Sequence, residues 1–183
     1  GRKQEAVFLP VKLPVLLMLG TEGIAVGMST KILPHNFREL LEAQIHLLEG
    51  EPIALFPDFP QGGVMDPAEY EDGRGKVRVR ARLEVTRDKK NIVIREIPYT
   101  TTTESLIASI ESASQKGKVK ITSINDFTTE AVEIEIGLAR GVYASEVVPQ
   151  LYAHTDCEVS VSCNLVVIKD RRPVEIGVSE LLC

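Results

Sequence analysis

Three glycines surround a short apolar segment within residues 20–36, which read GTEGIAVGMSTKILPHN. Gly20, Gly23 and Gly27 flank Ile24, and glycines at this density indicate backbone that adopts positive φ or approaches a partner closely. Two interpretations of Ile24 follow. The pattern alone favours a tight turn whose isoleucine enters a core. The alternative is that the isoleucine is an exposed apolar wedge that contacts a partner.

The spacing of these glycines does not match a phosphate-binding loop. It fits neither G-x-G-x-x-G nor G-x-x-x-x-G-K-[ST], and Lys31 stands in the wrong place for the second motif. The chain also lacks G-x-S-x-G, H-E-x-x-H and a D-x-D cluster that would hold magnesium. The sequence therefore argues against a nucleotide site and against a classical hydrolytic site, and it predicts no catalytic and no metal-binding residues.

A run of basic residues provides a second candidate for binding chemistry. Residues 74–90 contain eight Lys and Arg against Glu84 and Asp88, although the whole chain has a net charge of -5. Within this run four cations alternate with apolar residues, which predicts a single strand with one apolar and one wholly basic face. These cations are Lys76, Arg78, Arg80 and Arg82.

The basic face has two interpretations of nearly equal weight. It is typical of a solvated edge strand, where Lys and Arg prevent aggregation. Its two-residue rise of about 7 Å also suits successive phosphates along a nucleic-acid backbone. An exposed Ile24 would favour DNA, because minor-groove binders insert an apolar wedge between base steps and hold the bent duplex with basic contacts.

Composition narrows the class of protein further. The three cysteines form no C-x-x-C pair, which fits reduced thiols in a cytoplasmic protein. The three histidines are scattered, which argues against zinc. No apolar run approaches the length of a membrane span, and the first ten residues lack the apolar core of a signal peptide, so we expect an intracellular protein without a membrane partner.

The predicted elements form an α+β fold with a mainly antiparallel sheet and helices on one face. Asn36 and Glu39 predict the start of an amphipathic helix that ends at Gly50. A Pro- and Gly-rich connector follows, and we place a boundary there, between residues 1–65 and 66–183. Later strands and two helices follow, the first capped within Thr100–Thr103 and the second by Ser145.

Several motifs together resemble one family. The segment LPVKLPVLLMLGTEGIAVGMSTKILPHNFRELLEA closely resembles the region just after the catalytic tyrosine in the A subunit of bacterial type IIA topoisomerases, gyrase and topoisomerase IV. The later motifs occur in the same order as in that family: PDFPQGG, GRGKVRVRAR, REIPY and QLYAHTDCEVSVSCNLVVI. The resemblance covers essentially the whole chain. It implies that residues 1–65 end the DNA-binding platform and that residues 66–183 form the α+β tower domain.

The resemblance also implies site residues. Ile24 matches the isoleucine that intercalates into the gate DNA and bends it, and Gly23 and Gly27 match the glycines that shape its hairpin. Glu22 departs from the family pattern, since a carboxylate near phosphate would weaken the local contact, and Lys31 is a candidate for compensating it. The expected DNA-binding residues are Thr21, Gly23, Ile24, Gly27, Lys31, His35, Lys76, Arg78, Arg80 and Arg82.

The resemblance implies that this chain is part of a larger ATP-dependent enzyme that passes one duplex through a transient double-strand break in another. The nucleophilic tyrosine would lie upstream, and none of the four tyrosines here follows an arginine. Magnesium and ATP would be bound by the partner B subunit, so no cofactor is expected here. The expected partners are double-stranded DNA, the B subunit of the enzyme and a second copy of the A subunit, in the bacterial cytoplasm at the chromosome. The alternative is a non-catalytic scaffold or a nucleic-acid-binding module that does not bend DNA.

Overall fold

The computed structural model describes residues 10–183, which form two compact units. The first comprises residues 10–58, 71–75 and 163–183, and the second comprises residues 59–70 and 76–162. In chain order the elements are α1 (Val15–Leu19), β1 (Thr21–Ala25), β2 (Met28–Ile32), α2 (Phe37–Glu49), β3 (Val64–Asp66), a 3-10 turn (Glu71–Gly73), β4 (Lys76–Arg80), β5 (Arg82–Val85), β6 (Asn91–Glu96), α3 (Thr103–Gln115), β7 (Ile121–Asp126), β8 (Ile134–Leu138), α4 (Ala144–His154), β9 (Glu158–Ser162), β10 (Val166–Lys169), β11 (Arg172–Glu175) and α5 (Val178–Leu182).

The first unit contains two antiparallel hairpins, β1–β2 and β10–β11, together with α1, α2 and α5. The sequence prediction for α2 is confirmed at both ends. The Asn36 side chain accepts hydrogen bonds from the backbone N–H groups of Arg38 (3.0 Å) and Glu39 (3.3 Å), which satisfies donors that the first turn leaves unpaired. Gly50 ends the helix in the left-handed conformation, with φ of 79°.

The second unit contains two antiparallel sheets, β3-β4-β9 and β5-β6-β8-β7, with α3 and α4. Its core joins apolar side chains of β6 and β8 with those of both helices, which confirms the predicted α+β class. The cap of α3 lies at Thr102, in a reciprocal pair with Ser105. The cap predicted for α4 is wrong, because Ser145 is its second residue and Tyr143 precedes the helix without a side-chain bond.

The single basic strand predicted for residues 76–83 is divided into two strands at Ala81. Residues 76–80 form β4, which lies between β3 and β9, whereas residues 82–85 form β5 in the other sheet. Ala81 makes the change of sheet by donating its N–H to the Cys157 carbonyl (2.7 Å) and accepting from the Tyr152 hydroxyl (3.0 Å). Because β4 is a central strand, its cations do not serve to protect a sheet edge from aggregation.

The two compact units and the two predicted parts, 1–65 and 66–183, divide the chain differently. Residues 163–183 belong to the first unit, since Asn164 pairs with Lys31. The chain enters the second unit's main segment at Lys76 and leaves it at Ser162, which are directly paired across β4 and β9. The assignment of platform and tower functions to the parts stays a prediction. Within residues 10–183, no helix has the length and apolar character to cross a membrane.

Candidate nucleic-acid interface

The β1–β2 hairpin presents an apolar tip to solvent. Its register pairs Ala25 with Met28, which leaves Val26 and Gly27 as a two-residue turn. Gly27 has φ of 76°, a conformation that L side chains rarely adopt, so the turn needs glycine at this position. At the tip Ile24 is 87% exposed and Val26 is 100% exposed. The interpretation of Ile24 as a core residue is therefore wrong, and the structure leaves it displayed.

The base of the same hairpin is held firmly within the first unit. Lys31 exchanges two backbone hydrogen bonds with Asn164, of 2.7 and 2.9 Å. The Thr30 hydroxyl donates to the Asn164 carbonyl (3.1 Å) and accepts from the Val166 N–H (3.1 Å). An apolar tip on a fixed base costs little conformational entropy when it inserts into a partner, because the hairpin is already ordered.

Gly20 and Gly23 occupy different environments at and above this base. Gly20 has φ of 68°, and a Cβ there would lie 2.6 Å from the Ile32 carbonyl oxygen and 2.9 Å from the Pro34 nitrogen. Gly23 lies opposite Thr30 in the ladder, where a Cβ would make ordinary contact with the Thr30 methyl group at 3.5 Å. Close approach of two backbones thus requires glycine at position 20, while Gly23 is part of a regular strand.

Glu22, the departure from the family pattern, has a direct partner. It stands opposite Lys31 in the ladder, and its carboxylate lies 3.2 Å from the Lys31 ammonium. Side chains alternate along a strand, so this ion pair shares its face of the hairpin with Ile24. The carboxylate beside Ile24 is therefore paired with a cation, which makes Lys31 less available to other anions. Thr21, at the start of β1, is exposed.

His35, expected to contact DNA, is instead buried. The residue is 3% exposed, and its Nδ1 lies 3.2 Å from the Leu17 carbonyl oxygen, which also accepts from the His35 backbone N–H (2.9 Å). Burial lowers the pKa of His35, because the charged imidazolium loses its hydration. The prediction of a surface contact is corrected: the structure gives His35 the role of connecting the segment after β2 to α1.

The four cations predicted as one basic face each have a carboxylate partner within the second unit. Those on β4 alternate with buried Val77 and Val79, as predicted. The ion pairs are Lys76 with Glu69 (3.0 Å), Arg78 with Asp66 (2.7 Å), Arg82 with Glu96 (2.9 Å) and Arg80 with Glu158. Arg80 also covers the Tyr152 ring at 5.0 Å. A face so neutralised attracts phosphate much less than its basic residues alone suggest, which favours the scaffold interpretation for this strand.

One group of side chains has donor atoms close enough to share a cation among residues 10–183. The donor atoms of His46, Glu49 and Glu51 lie within 4.8 Å of one another, and all three residues are exposed. His46 Nδ1 is 2.5 Å from a Glu51 carboxylate oxygen, so an ordinary surface pair explains the arrangement. The sequence did not predict this group, because the spacing of these three residues, at the end of α2 and in the turn after it, matches no metal-ligand motif.

Sequence reasoning also missed Asn164, which joins the hairpin base. Its side-chain amide donates to the Ser29 carbonyl at 2.8 Å, in addition to the backbone pair with Lys31. The partners are separated by about 130 residues, and no local pattern signals such a contact. The only available signal was its place within the QLYAHTDCEVSVSCNLVVI motif.

An α+β fold with antiparallel sheets and a displayed apolar hairpin is the architecture expected of an A subunit of a type IIA topoisomerase. The family model for the A subunit of DNA gyrase/topoisomerase IV matches residues 1–183, and the chain therefore belongs to this family.

Individual relatives agree with the family match. The chain is 54% identical over 182 residues to the DNA topoisomerase 4 A subunit of Borreliella burgdorferi, covering 100% of this chain and 29% of that protein. It is 35% identical over 205 residues to the DNA gyrase A subunit of Mycobacterium tuberculosis, covering 100% of this chain and 24% of that protein. It is also 40% identical over 202 residues to the chloroplastic/mitochondrial DNA gyrase A subunit of Arabidopsis thaliana, covering 98% and 21%. The chain thus spans less than a third of the length of these relatives.

Proposed function

We propose that this chain binds duplex DNA and bends it by inserting Ile24 between base steps, as part of the A subunit of a type IIA topoisomerase. The observation that carries the proposal is the 87% exposure of Ile24 at the tip of an anchored hairpin, in a chain of this family. An isoleucine at such a tip has no packing role in this unit. Insertion between bases would remove it from water.

The energetics indicate that the wedge needs help from other contacts. Burying an isoleucine side chain contributes about 1.5–3 kcal/mol. Bending a short duplex smoothly costs about 1–6 kcal/mol, and unstacking a base step adds a few kcal/mol more. Ile24 alone does not offset these costs. Val26 and Met28, which are also exposed at the tip, add apolar surface, and cationic contacts to phosphate must supply the remainder.

The activity of the whole enzyme is proposed from the family. The parent protein would pass one duplex through a transient double-strand break in another, using ATP. Each of the tyrosines in this chain follows a residue other than arginine, so the Arg-Tyr nucleophile pair of the family would be supplied elsewhere. The proposed partners are double-stranded DNA, the B subunit of the enzyme and a second copy of the A subunit. The proposed location is the bacterial cytoplasm.

Magnesium and ATP are assigned in this proposal to the B subunit. Magnesium prefers carboxylate oxygens and water in a near-octahedral arrangement. Among residues 10–183, the group of His46, Glu49 and Glu51 is exposed and includes a histidine, so it does not fit that preference. The glycines around Ile24 form a hairpin turn and not a phosphate-binding loop.

Fluorescence transfer on a duplex labelled at both ends tests the wedge. The Ile24→Ala variant should bind DNA but bend it less than the unmodified chain. Ile45→Ala is a matched control, because it removes the same atoms from another exposed site, 55% exposed on α2. Circular dichroism should show both variants folded. Equal transfer efficiency for Ile24→Ala and Ile45→Ala would exclude Ile24 as the bending residue.

A scaffold function is the second candidate, and the ion pairs of β4 and β5 support it for the second unit. Each predicted cation there already has a carboxylate within 4.0 Å. If the whole chain is a scaffold, duplex binding should be absent at physiological salt. Measurable binding by the unmodified chain, with a salt-dependent affinity, would reject the scaffold interpretation.

A further inference from the structure

The tip of the β10–β11 hairpin carries a cluster of cations that sequence reasoning treated only as a turn. Lys169, Arg171 and Arg172 are all exposed, with Asp170 between the first two. Among residues 10–183, no carboxylate oxygen lies within 4.0 Å of a guanidinium nitrogen of Arg171 or Arg172, and Lys169 reaches Glu180 only at 3.9 Å. This tip therefore differs from β4, where every basic side chain has a close acidic partner.

The register of this hairpin brings two of the cations together. Lys169 and Arg172 are the closing pair of the ladder and lie directly opposite each other. Like charges in this arrangement destabilise a strand pair, so an anion near both side chains would be favoured. The turn itself places Arg171 at φ of 63°, where glycine or asparagine fits more easily. Arg171 therefore occupies this turn position at a conformational cost.

The β10–β11 hairpin leaves its base in the same direction as the β1–β2 hairpin. Both belong to the first unit, and Asn164 pairs antiparallel with Lys31 at the base of β2. The Val166 N–H donates to the Thr30 hydroxyl, so the chain that leaves Asn164 sets out alongside β2 towards the turn at Val26 and Gly27. At about 3.3 Å per residue, each segment extends roughly 15 Å beyond the shared base. The cationic tip and the apolar tip are thus directed from their shared base towards the same end of the first unit.

We propose that Lys169, Arg171 and Arg172 bind backbone phosphates of the duplex that Ile24 enters, close to the intercalated step. This inference rests on the proposed function, and it assigns the phosphate contacts that the wedge needs. Arginine suits the role because its planar guanidinium donates two parallel hydrogen bonds to one phosphate and remains charged. The phosphate-binding surface near the wedge is then the β10–β11 tip, and not the paired cations of β4.

The salt dependence of duplex binding tests this assignment on the full chain. The unmodified protein and the Arg171→Gln/Arg172→Gln variant are titrated with the same end-labelled duplex over a series of salt concentrations. Each lost phosphate contact should reduce the slope of log K against log salt by about 0.9, so the double variant should lose about 1.8. Lys116→Gln/Lys118→Gln is the charge-matched control, since both lysines are exposed in the turn after α3. Its slope should change by much less.

The outcomes separate this inference from the proposed function. An unchanged slope for Arg171→Gln/Arg172→Gln, or an equal loss in the lysine control, overturns the phosphate assignment even where Ile24→Ala still reduces bending. The opposite pair of results is also informative. If Ile24→Ala bends DNA normally while the arginine variant has a reduced slope, the wedge proposal is overturned and the phosphate assignment is retained. If the double variant is less stable than the unmodified protein, two milder variants replace it. Arg171→Gln alone should reduce the salt slope by about half as much, and Arg171→Lys/Arg172→Lys should retain most of the original slope.

Discussion

Replacing Gly20 by alanine should destabilise the first unit more than a typical glycine substitution. Gly20 connects α1 to β1 with φ of 68° and ψ of 171°, a region of backbone space that is essentially restricted to glycine and costs about 1–3 kcal/mol for other residues. A Cβ would also lie 2.6 Å from the Ile32 carbonyl oxygen and 2.9 Å from the Pro34 nitrogen. These are main-chain atoms, so relief requires a backbone shift, with a further cost of about 1–3 kcal/mol.

The expected loss in the free energy of unfolding is therefore about 2–6 kcal/mol for Gly20→Ala, measured by urea denaturation. Gly50→Ala is the matched control. Gly50 has φ of 79° and ψ of 19° at the end of α2, and a Cβ there would meet nothing within 4 Å. Its substitution should cost only the left-handed conformation, about 1–2 kcal/mol.

The two variants also differ in their effect on DNA. A backbone shift at Gly20 moves the end of β2 relative to the start of β1, which alters the direction of the Ile24 tip. We expect Gly20→Ala to reduce bending in the fluorescence-transfer assay at salt and temperature where it is still folded, whereas Gly50→Ala bends DNA normally. Equal losses of stability in the two variants would refute the close-contact argument, because both positions have positive φ but only Gly20 has main-chain atoms within 3 Å of the Cβ position.

Three further predictions concern titration and reactivity. Hydrogen bonding from Gly63 and the nearby Arg82 lower the pKa of Glu96, so its contribution to stability is present above the ordinary carboxyl pKa and is lost as pH falls; Glu96→Gln should flatten acid denaturation curves. Burial lowers the pKa of His35, so the unfolded chain binds the proton first, and stability should fall as pH drops below about 6.5. His35→Gln should remove that pH dependence. Burial raises the pKa of Cys157 to about 11, so iodoacetamide at neutral pH should label the exposed Cys183 well before Cys157, as mass spectrometry of timed digests can check.

The elements set by local chemistry could be predicted from the sequence. Asn36 and Gly50 delimit α2 because capping and helix termination depend on nearby residues. The α+β class follows from strand and helix periodicity in the same way. The displayed position of Ile24 was an open alternative from pattern alone, and the resemblance to the family favoured it before the structure showed 87% exposure.

The features that sequence reasoning missed depend on partners distant in the chain. The alternation of residues 76–83 continues through Ala81 without any Gly or Pro, and the change of sheet is made by Tyr152 and Cys157. Burial of His35 depends on a carbonyl of α1. The carboxylates that neutralise Arg80 and Arg82 lie 78 and about 14 residues away, so no count of basic residues in a short window reveals them.

The bond between Lys31 and Asn164 has a consequence for the order in which the protein is made. The main segment of the second unit is encoded between Lys31 and Asn164, so a ribosome delivers all of that segment before Asn164 appears. At about 5–20 residues per second, the β1–β2 hairpin waits roughly 7–27 seconds for its anchor. During that interval the second unit has time to fold, and the exposed isoleucine is carried by a hairpin that is not yet bonded to Asn164. The Ile24 tip is thus synthesised well before the residue that fixes its hairpin in place.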